Sequence, residues 1–562
     1  MYDRNRGAGV FISFRTSIKR GYENIPKKES RVKLILGIVL LFTTLLLIPS
    51  TVVAFMHGEN MWTFIIPMFI GLSASIYMIM RYKMPNDMRP ADGLMMMFSV
   101  WITLFAFGTL PFLIEGMSFI DAFFESVSGF TTTGATILTD VEAAPSGIIF
   151  WRVTSNWIGG IIIVMMFMFI IPMVVSGGRG LLKNEMSGSG GGNLSMKLGN
   201  AARQFIIMYV ILTAIFTIIL LLQNVSLMDS LVISMSSISI GGFMSTNDSL
   251  GSFSIFVKIT VIFFMVIAAT NFYLHYRAMF KIDFRGYRRD EECRIMILWF
   301  LILAFTVVIQ CLVNHVWADL DGTSADKFVD ILFSVVSVGT TSGFSTVDYT
   351  THWVFLDLSL FVVLMFVGGS SGSTSGGVKV SRIIITVKAL FNEIRQQVHP
   401  NAVYTVRYNG QGISPEVVHT AMVIVIAFLI TAGVGAAIFN IDDALTLGDS
   451  VYLSVAMVTN TGTGSGLLFS NYADLEVWAK LASCALMFLG RMEILAVLVI
   501  FTPGFWLEFL GRSGINEIKG KFMVITRIRE YKKQKESESE EFPDIPEVEE
   551  SYSEPPAEDV QD

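Results

Sequence analysis

The chain has 562 residues, of which 53% are hydrophobic and only 15% charged, against about 25% charged in an ordinary soluble protein. That balance excludes a water-soluble globular fold. Six histidines with no i, i+4 pairing, and Cys293, Cys311 and Cys484 scattered in or beside apolar runs, exclude an HExxH-type hydrolase, a zinc site and a disulfide framework. The net charge of −7 is segregated, with Lys and Arg clustering in alternate connections between apolar runs and Asp filling the others.

About ten of these runs have membrane-spanning length, roughly 20 apolar residues each. Residues 1–33 form a basic N-terminus carrying Arg4, Arg6, Arg15, Lys19, Arg20, Lys27, Lys28, Arg31 and Lys33. A first span follows at once and then a second, so the start does not read as a cleavable signal and is expected to be retained. These leading spans, about 34–56 and 62–79, occupy 34–90. Four similar units are expected over 91–182, 183–285, 286–400 and 401–512. The stretch 513–562 is basic and then acidic, and its Pro-rich end lacks large aliphatics, so it is expected to be disordered. Basic connections lie at Arg81–Arg89, Arg179–Arg203, Arg277–Arg294, Lys379–Arg407 and Lys519–Lys535. The positive-inside rule places them, and both termini, in the cytoplasm of a multi-pass plasma-membrane protein. The opposite loops carry Asp140, Glu142, Asp229, Asp248, Asp319, Asp321, Asp348, Asp442, Asp443 and Asp474, with Lys327 their only obvious cation. Such a face concentrates cations at an entrance, although solvated loops alone would look the same.

Each unit reads span, short amphipathic segment, Gly-containing polar loop, span. The loops align on one glycine: Gly134, Gly242, Gly343 and Gly462 lie 108, 101 and 119 residues apart, each with an aspartate thirteen residues earlier, at Asp121, Asp229, Asp330 and Asp449. Ser126, Ser234 and Ser454 also share one position in the strings. The apolar segment between Asp and Gly is too short to cross a bilayer and suits a re-entrant helix. Asp is expected as its N-cap. Irregular backbone at membrane depth must line a water-filled path or be buried in protein. Four such loops around one axis would offer helix C-termini and backbone carbonyls to a bare cation, and glycine permits the close approach.

Five segments, FTTTGAT, WRVTSNWIGGIIIVMM, SVGTTSGFST, VGGSSGSTSGGVKVSR and GRMEILAVLVIFTPGFW, resemble the TrkH/TrkG branch of the Trk/Ktr/HKT potassium transporters over nearly the whole chain. The two leading spans point to that branch. The resemblance implies an all-α integral membrane protein with two leading helices and four span–pore-loop–span repeats in pseudo-fourfold arrangement around one pore. It also implies a homodimer, a cytoplasmic nucleotide-binding ring of the TrkA type as partner, and K+ as the transported ion, with no covalent cofactor. By the same resemblance the filter carbonyls come from Thr132, Thr133, Gly134, Ile240, Gly241, Gly242, Thr341, Ser342, Gly343, Asn460, Thr461 and Gly462. Glycine at all four ring positions favours K+ over Na+. Two departures stand out: Ile240, where the family usually carries Thr, and the TGTG run with Thr463, where the family commonly has Gly-Pro-Gly.

The run Gly368-Gly369-Ser370-Ser371-Gly372-Ser373-Thr374-Ser375-Gly376-Gly377 interrupts an apolar span, and the resemblance makes it a hinged gate beneath the filter. A phosphate-cradling loop lacks its Gly-Lys-Ser/Thr ending here. Lys379 and Arg382 are expected at the cytoplasmic mouth. Arg491 lies mid-span, where a charge is expensive. It is assigned to the gate below the filter, with an internal ion pair as the rival and Glu493 a poor partner at i, i+2. Arg152 is expected as an interfacial anchor. Potassium uptake through a gated pore is the expected function. An H+- or Na+-coupled symporter with alternating access is the alternative. A membrane enzyme is the third, without an assembled nucleophile–base set; nothing points to nucleic acid.

Overall fold

The apolar runs become helices, Pro67 and Pro111 included, and the places where they break set the architecture. The structure, a computed structural model, describes residues 28–29, 31–83, 90–175, 194–313, 317, 322–348, 355–506 and 509. The basic N-terminus before Lys28 and the tail after residue 509 lie outside the described residues. Up to Ile500 the chain forms one unit; a second, smaller unit begins at Phe501.

The leading spans are α1 (Arg31–Leu45) with α2 (Leu47–Met56), and α3 (Trp62–Arg81). Repeat one comprises α4 (Pro90–Ile114), the short α5 (Phe119–Phe130) and α6 (Ser146–Val175). Repeat two runs through α7 (Leu194–Leu222), short α8 (Leu227–Ser239), α9 (Ile255–Ala269) and α10 (Phe272–Lys281), followed by α11 (Arg285–Arg289). Repeat three has α12 (Glu291–Val313), α13 (Ser324–Thr340), α14 (Phe355–Val367) and α15 (Val380–Val398). Repeat four has α16 (Pro415–Phe439), α17 (Leu447–Val458), α18 (Val477–Arg491) and α19 (Ile494–Ile500). Among the described residues seven helices are long and apolar enough to cross a membrane, and two bent pairs raise the number to nine. The α9–α10 pair bends by 98° and α18–α19 by 104°. The remaining expected span, α14, has only 13 residues because the glycine-rich run begins immediately after it.

Each re-entrant helix packs against the second span of the preceding repeat: α8 on α6, α13 on α9, α17 on α14, and α5 on α18. The last contact joins repeat four back to repeat one, so the four units close a ring. Aromatic and aliphatic side chains fill the space behind it, with Trp101, Trp151, Phe112, Phe124 and Phe130 fully buried. The opposite surfaces stay apolar and open; Phe69 on α3 is 76% exposed and Phe305 on α12 is 65% exposed, as lipid-facing helices require.

The four aspartates do not cap these helices. The caps are Ser118, Ser226, Thr323 and Thr446, whose hydroxyls accept from the N–H of Asp121, Asp229, Asp326 and Asp449. The expectation placed the cap three residues too late in repeats one, two and four, because a carboxylate in the first turn serves the helix dipole as well as a cap does. In repeat three the helix starts a full turn earlier. Asp330 therefore sits inside α13, where its carboxylate accepts from Lys258 at 2.8 Å.

Candidate functional site: a glycine ring above a buried loop

Past each re-entrant helix the backbone turns by the same device. Thr132, Ile240, Thr341 and Asn460 have φ of 52°, 56°, 64° and 55°, and the glycines two residues on have φ of 80°, 74°, 78° and 70°. The residue between them donates its N–H back to the helix: Thr133 to Ser128 O at 2.9 Å, Gly241 to Ser236 O at 2.8 Å, Ser342 to Ser337 O at 2.8 Å, and Thr461 to Ala456 O at 2.9 Å. The amides are thus consumed on the helix side. Among the described residues no hydrogen bond is donated to the carbonyls of Thr132, Thr133, Ile240, Gly241, Thr341, Ser342, Asn460 or Thr461, which leaves eight oxygens for something else.

The ring is tight because its corners lack Cβ atoms. A methyl group on Gly134 would stand 2.2 Å from Gly241 O; on Gly242, 2.4 Å from Ser342 O; on Gly343, 2.2 Å from Thr461 O; on Gly462, 1.9 Å from Thr133 O. Each glycine therefore abuts the preceding-position carbonyl of the next repeat, and the fourth abuts the first. Above it opens a cavity of about 350 Å³ lined by the four glycines together with Asp248, Asp348, Asn247 and Thr463. Thr463, where the family pattern is broken, is within 3.2 Å of the Tyr452 hydroxyl. Ile240 is a β-branched residue held at positive φ, a conformation that costs about 1–3 kcal/mol.

Behind the ring lies a cluster that sequence reasoning missed. Arg152 is 1% exposed and its Nε donates to Glu125 Oε2 at 3.0 Å; it is buried rather than an interfacial anchor. Glu125 Oε1 also accepts from the Thr136 hydroxyl at 2.7 Å and the Ile137 N–H at 2.6 Å. The Arg152 guanidinium lies 4.1 Å from the Phe243 ring centroid, which ties repeat one to repeat two. The signal was available: two opposite charges, each inside an apolar string, invite pairing.

Below the ring, the chain leaves α14 at Gly368 and returns where Val378 and Lys379 donate to Phe366 O and Val367 O, both at 3.0 Å. The enclosed loop reaches the ends of three re-entrant helices. The Thr374 hydroxyl donates to Ile238 O at 3.0 Å, Ser375 Oγ to Thr340 O at 2.7 Å, and the Gly377 N–H to Thr459 O at 3.1 Å. The Ser370 N–H donates to Ala269 O at 2.9 Å. Gly376 fits only because it lacks a side chain; a Cβ there would be 1.8 Å from Thr459 O.

Two cations hold the loop. Arg491 Nη1 donates to Thr374 O at 3.0 Å and Lys379 Nζ to Ser375 O. Both are buried, so Lys379 is not at an open mouth: the last stretch of the loop carries it inward. Arg491 has no ion pair with Glu493, whose carboxylate meets Arg382 instead. The space between these groups, Asn460 and Gly490 is a cavity of about 10 Å³, room for about one water molecule.

A closed ring of unpartnered carbonyls in a bundle of apolar helices defines an all-α membrane transport protein. The cation transport protein family TrkH matches residues 57–506, and the chain belongs to that family. The Trk system potassium uptake protein TrkH of Halomonas elongata is 32% identical over 84% of this chain and 98% of its own length. TrkH of Escherichia coli K12 is 30% identical, with the same coverage, and TrkG of that strain 29%, over 84% and 96%. The crystal structure of the potassium transporter TrkH from Vibrio parahaemolyticus superposes with a TM-score of 0.76 at 28% identity, covering 84% of this chain and 99% of that one.

Proposed function

We propose that the protein takes up potassium across the plasma membrane through a selective pore that the loop 368–377 closes from the cytoplasmic side. It is a transporter and not an enzyme. The observation that carries the reading is the ring in which four glycines admit the carbonyls of their neighbours. Carbonyl dipoles fixed at that spacing replace an ion's hydration shell without any rearrangement of the protein. Thr132, Thr133 and Gly134, with their counterparts Ile240 to Gly242, Thr341 to Gly343 and Asn460 to Gly462, form the ion sites. The acidic vestibule faces outward, the basic connections face the cytoplasm with both termini, and the loop with Lys379 and Arg491 forms the gate. A homodimer, and a cytoplasmic nucleotide-binding ring that opens the gate, complete the assembly, as the family resemblance implies.

The test is flux of rubidium tracer into proteoliposomes loaded with K+ or Na+. Wild-type protein is expected to move rubidium with K+, and not Na+, competing. Gly134→Ser is expected to admit Na+, since its Cβ falls 2.2 Å from Gly241 O and must push that carbonyl outward. An unchanged K+/Na+ ratio would remove Gly134 from the ion path.

A further inference from the structure

Glu292 plays no part in the ring, yet it is the second residue of α12 and only 2% exposed. Its Oε1 accepts two backbone N–H bonds, from Ser371 at 2.7 Å and Ser381 at 2.9 Å. Ser371 belongs to the gate loop and Ser381 to the first turn of α15, so one carboxylate oxygen pins both limbs of the excursion. The hydroxyls of the two serines also bond to each other. The second oxygen, Oε2, accepts from the Tyr408 hydroxyl at 3.1 Å. Among the described residues no lysine or arginine forms an ion pair with Glu292; amides and a phenol compensate its burial instead.

Tyr408 leads to the surface. It stands on a two-stranded hairpin, Arg407–Tyr408 with Gln411–Gly412, whose turn residues Asn409 and Gly410 have φ of 50° and 78°, the left-handed pair that a tight hairpin turn needs. The hairpin tip is exposed and faces the cytoplasm in the orientation proposed above. It is moored to the same end of α12. Asn409 Nδ2 donates to Asp290 at 3.1 Å, Asn409 Oδ1 accepts from the Glu291 N–H at 2.7 Å, and the Asn409 N–H donates to Glu291 Oε2 at 3.2 Å. Three consecutive acidic residues thus face the hairpin, and the third alone also grips the gate.

We propose that Tyr408 and Glu292 form a linkage that couples the cytoplasmic hairpin to the gate loop, with Glu292 the positioning residue that keeps the loop seated while the hairpin is docked. The reasoning is mechanical and electrostatic. A buried carboxylate keeps its place only while its donors are in place. Lifting the hairpin withdraws the phenol, and Glu292 is then drawn toward water or another donor. Both amides of the gate limbs are released together, because they share one oxygen.

The inference rests on the potassium-pathway reading, and the experiment separates the two. Full-length protein is reconstituted, rubidium flux is measured, and hydrogen exchange is followed in the 368–381 amides. Tyr408→Phe, which deletes one oxygen and keeps the ring, is expected to raise resting flux about fivefold and to speed exchange in 368–381. Glu292→Gln is expected to do the same or more. The double variant should match Glu292→Gln alone, because both act through one carboxylate. Exchange in 368–381 that is unchanged by Tyr408→Phe, or effects of the two variants that multiply, would overturn the linkage. Where Glu292→Gln does not yield a monodisperse protein, Tyr408→Phe with its exchange readout decides alone. Absence of rubidium flux in the wild type and in both variants alike would instead sink the functional reading, while the exchange measurement would still judge the linkage.

Discussion

The glycine ring and the loop beneath it lie within one chain's reach of each other and are built on opposite principles. The ring is held by backbone: helix-directed amides, four Cα–carbonyl contacts and residues at fixed φ. No side chain needs to move for its oxygens to face the axis. The loop is held partly by the backbone amides of Ser370 and Gly377, but mainly side chains reach across it: hydroxyls and two long cations, groups that can exchange partners at about 1 kcal/mol each. A selective element gains from having no alternative conformation, whereas a gate needs one nearby in energy. The division predicts that damage to the ring alters which ion passes, and damage to the loop alters how often any ion passes.

The largest effect is expected from Gly462→Ala. Its methyl group would stand 1.9 Å from Thr133 O, and neither backbone can yield without opening the ring. Competition flux should show K+/Na+ discrimination falling by a factor of about 100, equivalent to about 2.8 kcal/mol; retained discrimination would break the contrast. Next comes Glu125→Ala, which leaves Arg152 buried without its carboxylate and is expected to cost about 3–5 kcal/mol. The readout is thermal stability in detergent, and a melting temperature within a degree of wild type would show that the cluster does not brace the ring. Ser375→Ala removes the loop's bond to Thr340 O. Resting flux should rise about fivefold, the equivalent of about 1 kcal/mol, with K+/Na+ selectivity intact. Altered selectivity in this variant would mean that loop and ring are one element. The smallest effect is expected from Ile240→Asn. Asn tolerates positive φ better than a β-branched residue, so stability should rise by up to about 1 kcal/mol with selectivity unchanged. A loss of stability would show that the buried Ile240 side chain outweighs its backbone strain.

The repeated glycines and their register were legible in the sequence because the ring is a backbone object that requires glycine at fixed offsets. The same holds for the loop 368–377, where a run of Gly and Ser cannot stay helical inside an apolar span. What stayed hidden depends on side chains meeting across repeats. Asp330 matches Asp121, Asp229 and Asp449 in spacing, but α13 begins a turn earlier and Lys258 claims it. Arg152 beside Trp151 and Trp157 has the composition of a membrane-interface anchor, and only its distance to Glu125 shows otherwise. Lys379 follows the loop in sequence and lies within it in space, because the chain doubles back between Phe366 and Val378. Glu292 carries no signal at all: a glutamate in the first turn of a helix is ordinary until its partners are known.

One asymmetry among the second spans bears on how the molecule can open. The α9–α10 and α18–α19 pairs are bent by 98° and 104°, and α14 gives way to the loop, but α6 continues as a single helix from Ser146 to Val175. Three legs of the bundle have knees and the fourth is a post. An aperture made by flexing those knees is lopsided, widening away from α6 instead of dilating evenly like an iris. The ion's route would then turn off the fourfold axis as soon as it leaves the ring.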